Sequence, residues 1–310
     1  MATTGKKRLY ILLTLTVIFW GTSFAAVKTG MGDLAPVQFL FLRTFFASII
    51  FAGVLLNVDE KKRKIEKKDL PYITYLGFMG MAGYFAVQYT ALKFTTTVNA
   101  SLLVGIAPII IAIYSKFFLN EDLNFRRMIG ILLCFMGICM IITKGNFSSF
   151  SFGKTLFGDI LMIINAVMLA AFSLGAKKIL NKYDPFIAVA YINMAACILL
   201  IPVSFIPNFL SPVSLLHSFS KIHVKTVLSA LYLAVTCTVL GYYAWYNAIK
   251  EIGPSRTSVF NYINPLVAAI VSFLFFQEDM SIFTILGGMS IVGGVSLNNM
   301  NQPVRQCELD

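Results

Sequence analysis

Charge is scarce in this sequence. Only 13% of its 310 residues are Asp, Glu, Lys or Arg, about half the share of an ordinary soluble domain. Hydrophobic residues make up 58%. A water-soluble fold has no place for that many apolar side chains, so the composition points to the bilayer. Histidine is nearly missing: His217 and His223 stand alone in one segment. No third ligand accompanies them, so neither a metal centre nor metal-assisted catalysis is expected. There is no CxxC pair and no His/Cys cluster. Cys134, Cys139, Cys197 and Cys237 lie inside apolar stretches and Cys307 near the end. They read as small packing residues rather than a disulfide framework. No GxxxxGK[ST] loop occurs, which speaks against ATP-driven work by this chain alone. No cofactor is expected.

What is present is a series of apolar runs. A bilayer core takes about 20 apolar residues per helix. Ten spans are expected at 9–29, 36–58, 71–92, 96–118, 126–143, 156–176, 185–206, 225–248, 254–276 and 281–299. The first follows Lys6-Lys7-Arg8 and imitates a signal peptide, but it is too long for a usual signal core. It reads as a retained helix. The longest connections are 59–70, rich in lysine, and 207–224, which carries Pro207 and Pro212. The tail 300–310 is polar.

The net charge of +11 reads as a topology signal. The basic residues sit in short loops, with no aromatic-interleaved basic stripe, so nucleic acid is not an expected partner. With the N-terminus placed inside, inside segments hold 18 Lys and Arg and outside segments six. Cytoplasmic loops retain positive charge. The bias predicts ten alternating spans with both termini cytoplasmic.

The chain also repeats itself. Shifted by 157 residues, Ala91 and Lys93 fall on Ala248 and Lys250, Ser101 on Ser258, and Pro108 on Pro265. Further on, Glu121-Asp122 fall on Glu278-Asp279, Gly130 on Gly287 and Gly137 on Gly294. This predicts an all-α integral membrane fold of two five-helix repeats, 1–143 and 156–299, joined by a 144–155 loop. Five is odd, so the second half is inverted. Inverted repeats are an architecture of secondary transporters, with the solute site near the midplane.

Several residues stand out chemically. Pro108 and Pro265 fall within the fourth and ninth expected spans at matched places. Each removes a backbone hydrogen bond, predicting kinks that free the carbonyls of Val104 and Asn261. A static kink or a gating role both fit. Arg43 lies inside the second span, where charge is costly. It could pair structurally, bond carbonyls, snorkel outward or hold a substrate carboxylate. Tyr84 and Gln88 share a helix face, and Gln88 falls on Trp245 under the shift. Asn261 and Asn264 share a face of the ninth span, and Trp20 marks the middle of the first. Their polar atoms need partners in lipid, so all should face inward, either lining a cavity or joining helices. None of the fourteen carboxylates lies mid-span; Asp159 comes nearest, at the start of the sixth. Facilitated export or exchange therefore fits better than a proton relay.

At these residues the chain resembles the EamA-type carriers of the drug/metabolite transporter superfamily. The resemblance is carried by FWGTSFAAVK (19–28), FLRTF (41–45), ALKFTTTVNASLLVGIAPIIIAIYSKFFLNED (91–122) and AIKEIGPSRTSVFNYINPLVAAIVSFLFFQED (248–279). Glycine-rich closing helices follow at 130–141 and 287–295. The resemblance implies a ten-helix carrier that exports amino acids, other metabolites or drugs, in the plasma (inner) membrane. It implies the lipid bilayer and a small-molecule substrate as partners, with the closing helices as scaffold or homodimer contact. A membrane enzyme or a non-transporting receptor or subunit are the competing readings.

Overall fold

A computed structural model describes residues 2–30, 34–91, 94–95, 103–119, 121, 123–143, 146, 155–205, 222–264, 266–267, 270 and 281–299. Among these the chain is helical and carries no strand. Helix α1 is Ala2–Gly30 and α2 is Pro36–Leu56. Helix α3 runs Leu70–Gly77, loosens through a π segment at Phe78–Ala82, and continues as Gly83–Ala91. Then come α4, Ala107–Phe118, α5, Phe125–Thr143, α6, Leu156–Leu180, and α7, Pro185–Phe205. Helix α8 repeats the α3 pattern: Val224–Tyr232, a π segment at Leu233–Leu240, and Gly241–Ile252. Helix α9 opens as Pro254–Ser258 and tightens to a 3-10 turn at Val259–Tyr262. Helix α10 is Ile282–Asn299.

Among the described residues six helices are long and apolar enough to cross a membrane, against the ten spans expected. They are α2, α5, α6, α7 and the two π-interrupted helices α3 and α8. Within the expected fourth span, residues 103–104 are helical, 105–106 form a turn, and α4 starts again at Ala107. Pro108 is therefore not a mid-helix kink. It sits in the first turn of α4, where a missing N–H would have had no helical partner anyway. The carbonyl that gains a side-chain partner is that of Gly105, not Val104: it accepts from the Tyr262 hydroxyl at 2.8 Å. Pro265 lies outside the described residues, as do Cys307 and His217.

Polar caps start several helices. The Asn124 side chain accepts from Arg127 N–H, Asp184 from Phe186 N–H, and Ser281 from Thr284 N–H. Each satisfies a donor that the first turn leaves unpaired. Helix α8 ends at Gly253, whose φ of 85° suits glycine.

The polarity of the fold is inside out. Phe117, Phe118, Phe157, Ile198 and Val292 are more than half exposed. Asn165, Asn193, Thr238 and Ser258 are buried. Lipid accepts the first set, and the second must find partners within protein. The two amide nitrogens do: Asn193 Nδ2 donates to the Thr44 carbonyl at 3.0 Å and the Ser48 hydroxyl at 2.9 Å, tying α7 to α2. Asn165 Nδ2 donates to the Tyr84 carbonyl at 2.7 Å, tying α6 to α3.

Helices α5 and α10 cross antiparallel and touch through glycine. A Cβ built on Gly130 would stand 2.7 Å from the Gly294 carbonyl, and one on Gly137 2.6 Å from that of Gly287. The small residues let the backbones meet. Under the 157-residue shift the first contact becomes the second, because Gly130 maps to Gly287 and Gly294 is the image of Gly137. Two further contacts join a residue to its own image: Tyr262 to Gly105, and the Cys134 thiol to the Ile291 carbonyl.

Candidate functional site

Arg43 sits seven residues into α2, roughly 10 Å along its axis. Its side chain is 8% exposed. Nε donates to the Thr238 hydroxyl at 2.8 Å, and the guanidinium carbon stands 5.5 Å from the centroid of the Phe85 ring. Thr238 lies in the π segment of α8, and its hydroxyl donates a hydrogen bond to the Leu233 carbonyl, five residues back. The widened turn orients the hydroxyl toward α2. Such π segments are frequent at functional sites.

These groups line a narrow cavity. Its centre has room for roughly one water molecule. Leu40, Arg43 and Thr44 close it from α2. Met81 and Phe85 come from α3, Thr238 and Tyr242 from α8. The last four are two pairs of images under the shift, Met81 with Thr238 and Phe85 with Tyr242.

An aromatic cluster adjoins the cavity. Trp20 lies 5.1 Å from Trp245 and 5.6 Å from Tyr242, centroid to centroid. Its Nε1 donates to the Cys237 carbonyl at 3.0 Å, and the Tyr242 hydroxyl donates to the Gly80 carbonyl at 3.4 Å. Gly80 and Cys237 are images, each inside a π segment. Both π segments thus present a carbonyl that an aromatic donor from elsewhere satisfies. Gly241 must be small here: a Cβ would come within 2.8 Å of the Trp20 nitrogen.

The structure therefore brings Trp20, Arg43 and Trp245 together around Thr238 and Tyr242. The other sequence candidates lie apart from the cavity lining. Tyr84 and Gln88 meet each other at 3.5 Å on the next turn of α3. Asn261 is half-buried in the 3-10 turn of α9. The Asn264 carbonyl packs near Gly21 of α1, and its side-chain Oδ1 is buried without a hydrogen-bond partner. Asp159 is buried at the start of α6, where the Thr95 and Thr155 hydroxyls donate to its carboxylate.

Sequence reasoning missed Thr238, Tyr242, Phe85 and Met81. Threonine and phenylalanine are common in membrane helices and gave no signal alone. The shift that paired Gln88 with Trp245 also paired Phe85 with Tyr242, which could have found the latter. Asn165 and Asn193, amides within expected spans, were readable as buried links and were passed over.

The described ion pairs all lie toward helix ends. Lys182 bridges Glu66 at 2.7 Å and Asp69 at 2.6 Å, and Tyr183 donates to Asp69. Arg127 Nη2 donates to the Ser255 hydroxyl at 2.9 Å and stands 3.9 Å from Glu121. Burial raises the Glu121 carboxyl above its usual range, against the pull of Arg127, Lys177 and Arg256.

A family model described as EamA-like transporter family matches the chain twice, over residues 7–143 and 156–300. An uncharacterized transporter of Archaeoglobus fulgidus is 32% identical over 301 residues, spanning 96% of this chain and 99% of its own length. The uncharacterized transporter YyaM of Bacillus subtilis is 28% identical over 93% of this chain and 92% of its own. A probable terminal-alkyne amino-acid exporter of Streptantibioticus cattleyicolor is 24% identical over 93% and 92%. One solved crystal structure aligns with a TM-score of 0.74 at 18% identity, over 94% of this chain and 96% of that one. At that identity the likeness concerns the fold.

Proposed function

The chain belongs to the EamA-like transporter family, and from that premise we propose that it exports small organic solutes, amino acids or related metabolites, by alternating access. The two halves are 1–143 and 156–299, joined by 144–155, each contributing five helices in opposite orientation. Both termini face the cytoplasm of a cell bounded by the plasma (inner) membrane. A second reading is efflux of drugs or other xenobiotics, favoured by the aromatic cluster of Trp20, Tyr242 and Trp245.

The observation that carries the proposal is the cavity lined by image pairs from α3 and α8. A site between inverted halves can face either side when one half rocks against the other. The self-reciprocal contacts of α5 with α10, and of Gly105 with Tyr262, support the same reading. They leave α5 and α10 as a fixed scaffold while α2, α3 and α8 flank the solute. The carboxylate of a zwitterionic amino acid or the ring of a drug would meet the same lining, so function must be read from flux.

The test is efflux from liposomes holding the purified chain and a mixed pool of amino acids, nucleosides and cationic dyes. Escape of amino acids above the rate from empty liposomes supports the first reading. Escape of dyes alone supports the second. Retention of every solute counts against a carrier.

A further inference from the structure

Among the described residues Arg43 is a buried cation with few compensating partners. A guanidinium offers five N–H donors and cannot shed its charge. Here one donor reaches Thr238. No ion pair joins Arg43 to any described carboxylate, and one ring, Phe85, faces its charge. A hydroxyl and a ring face are small compensation for removing a full charge from water. Snorkelling does not relieve it, because the side chain is over nine-tenths buried and turned into the cavity.

We propose that Arg43 is the carboxylate-binding residue of the carrier, so that the solutes moved are organic acids or zwitterions rather than neutral or cationic molecules. The inference rests on the carrier reading and narrows its substrate. A carboxylate is planar and accepts two parallel hydrogen bonds from an arginine fork. Thr238 holds Nε from one side and fixes the plane of the guanidinium. The other guanidinium donors are then available to a ligand in the cavity that Arg43 lines with Met81, Phe85 and Tyr242. These apolar walls keep water out, which strengthens the ion pair, and they suit an apolar substituent beside the carboxylate. The cavity has room for about one water, so this conformation is closed, and loading requires α2 to part from α8 at the Arg43–Thr238 bond. The π segment of α8 is the deformable part of that contact.

The test compares matched probes in liposomes holding the full chain: leucine against leucinamide, and phenylalanine against phenylalaninamide. Each pair differs in the carboxylate and otherwise keeps its size and shape. Wild type is expected to release the acids at least tenfold faster than the amides. Arg43→Lys should keep part of that preference, and Arg43→Gln should erase it while leaving the melting temperature close to wild type. Equal release of acid and amide by wild type overturns the Arg43 proposal and leaves the carrier standing. So does an Arg43→Gln protein that keeps the preference. The wild-type comparison needs no variant, so a misfolded mutant does not remove the test. Release of no probe at all, in a preparation that melts cooperatively, overturns the carrier reading itself and this proposal with it.

Discussion

Trp20 commits its single donor to the Cys237 carbonyl, and its ring leans on Tyr242 and Trp245. Replacing it with Phe keeps most of the apolar contact and removes the hydrogen bond. A buried carbonyl left without a donor costs about 1–3 kcal/mol. Trp20→Phe is therefore expected to lower the thermal midpoint in detergent, and flux should fall further than abundance because Cys237 adjoins Thr238, which lines the cavity. Unchanged stability and flux would mean that another donor takes the place of the indole. Asn193 makes a similar point in the scaffold. Its two donated bonds hold α7 to α2, and Asn193→Leu should destabilise the chain by about 1–3 kcal/mol, measured by denaturation.

Between elements, the contact of α5 with α10 has no slack. Gly130, Gly137, Gly287 and Gly294 each place backbone against backbone, so an added side chain forces the helices apart. Overpacking of this kind costs about 1–3 kcal/mol. Gly137→Leu is expected to lower the melting midpoint well below that of Gly293→Leu, since Gly293 has no atom within 4 Å of its would-be Cβ. Equal losses would contradict the crossing. The α4–α5 loop meets the α8–α9 turn at Glu121, whose carboxylate would lie 2.3 Å from a Cβ on Gly253. The Glu121 carboxyl is raised by burial. Its folded form therefore favours the proton more than the unfolded chain does. The stability it contributes is present at low pH and lost as pH rises through its elevated value. Glu121→Gln is expected to flatten that loss in the range just above ordinary glutamate titration, read as melting midpoint against pH in both proteins. Parallel curves would show that the carboxyl titrates normally.

Across the whole molecule, the ion-pair network of Lys182, Glu66, Asp69 and Tyr183 links the α2–α3 connection to the α6–α7 turn. The proposed orientation puts both on the cytoplasmic face. Single cysteines placed at Lys182 and at Lys225, in a chain whose own five cysteines are replaced, should label from opposite sides of the membrane. Labelling from one side would overturn the alternating topology. The network is exposed, and its two carboxylates are held below their usual range by Lys182. Stability from it is present above ordinary carboxylate titration and fades as pH falls, the reverse of the Glu121 slope. High salt should weaken it as well.

The sequence by itself determined the solvent and the repeat. Apolar runs with polar caps can fold only where lipid replaces water, and a gapless 157-residue register survives because equivalent helices meet equivalent surroundings. It also marked Arg43, Trp20 and Trp245, since charge and indole are costly or rare in such helices. The π segments, the early break in α4 and the company that Arg43 keeps were decided by tertiary structure. A π turn is a backbone response to a neighbour, here the Trp20 and Tyr242 donors reaching across to Cys237 and Gly80. Thr238 becomes an arginine partner because the widened turn aims it at α2. Linear order carries the periodicity that buries a face. It does not carry which faces meet, and the cavity exists only where three of them do.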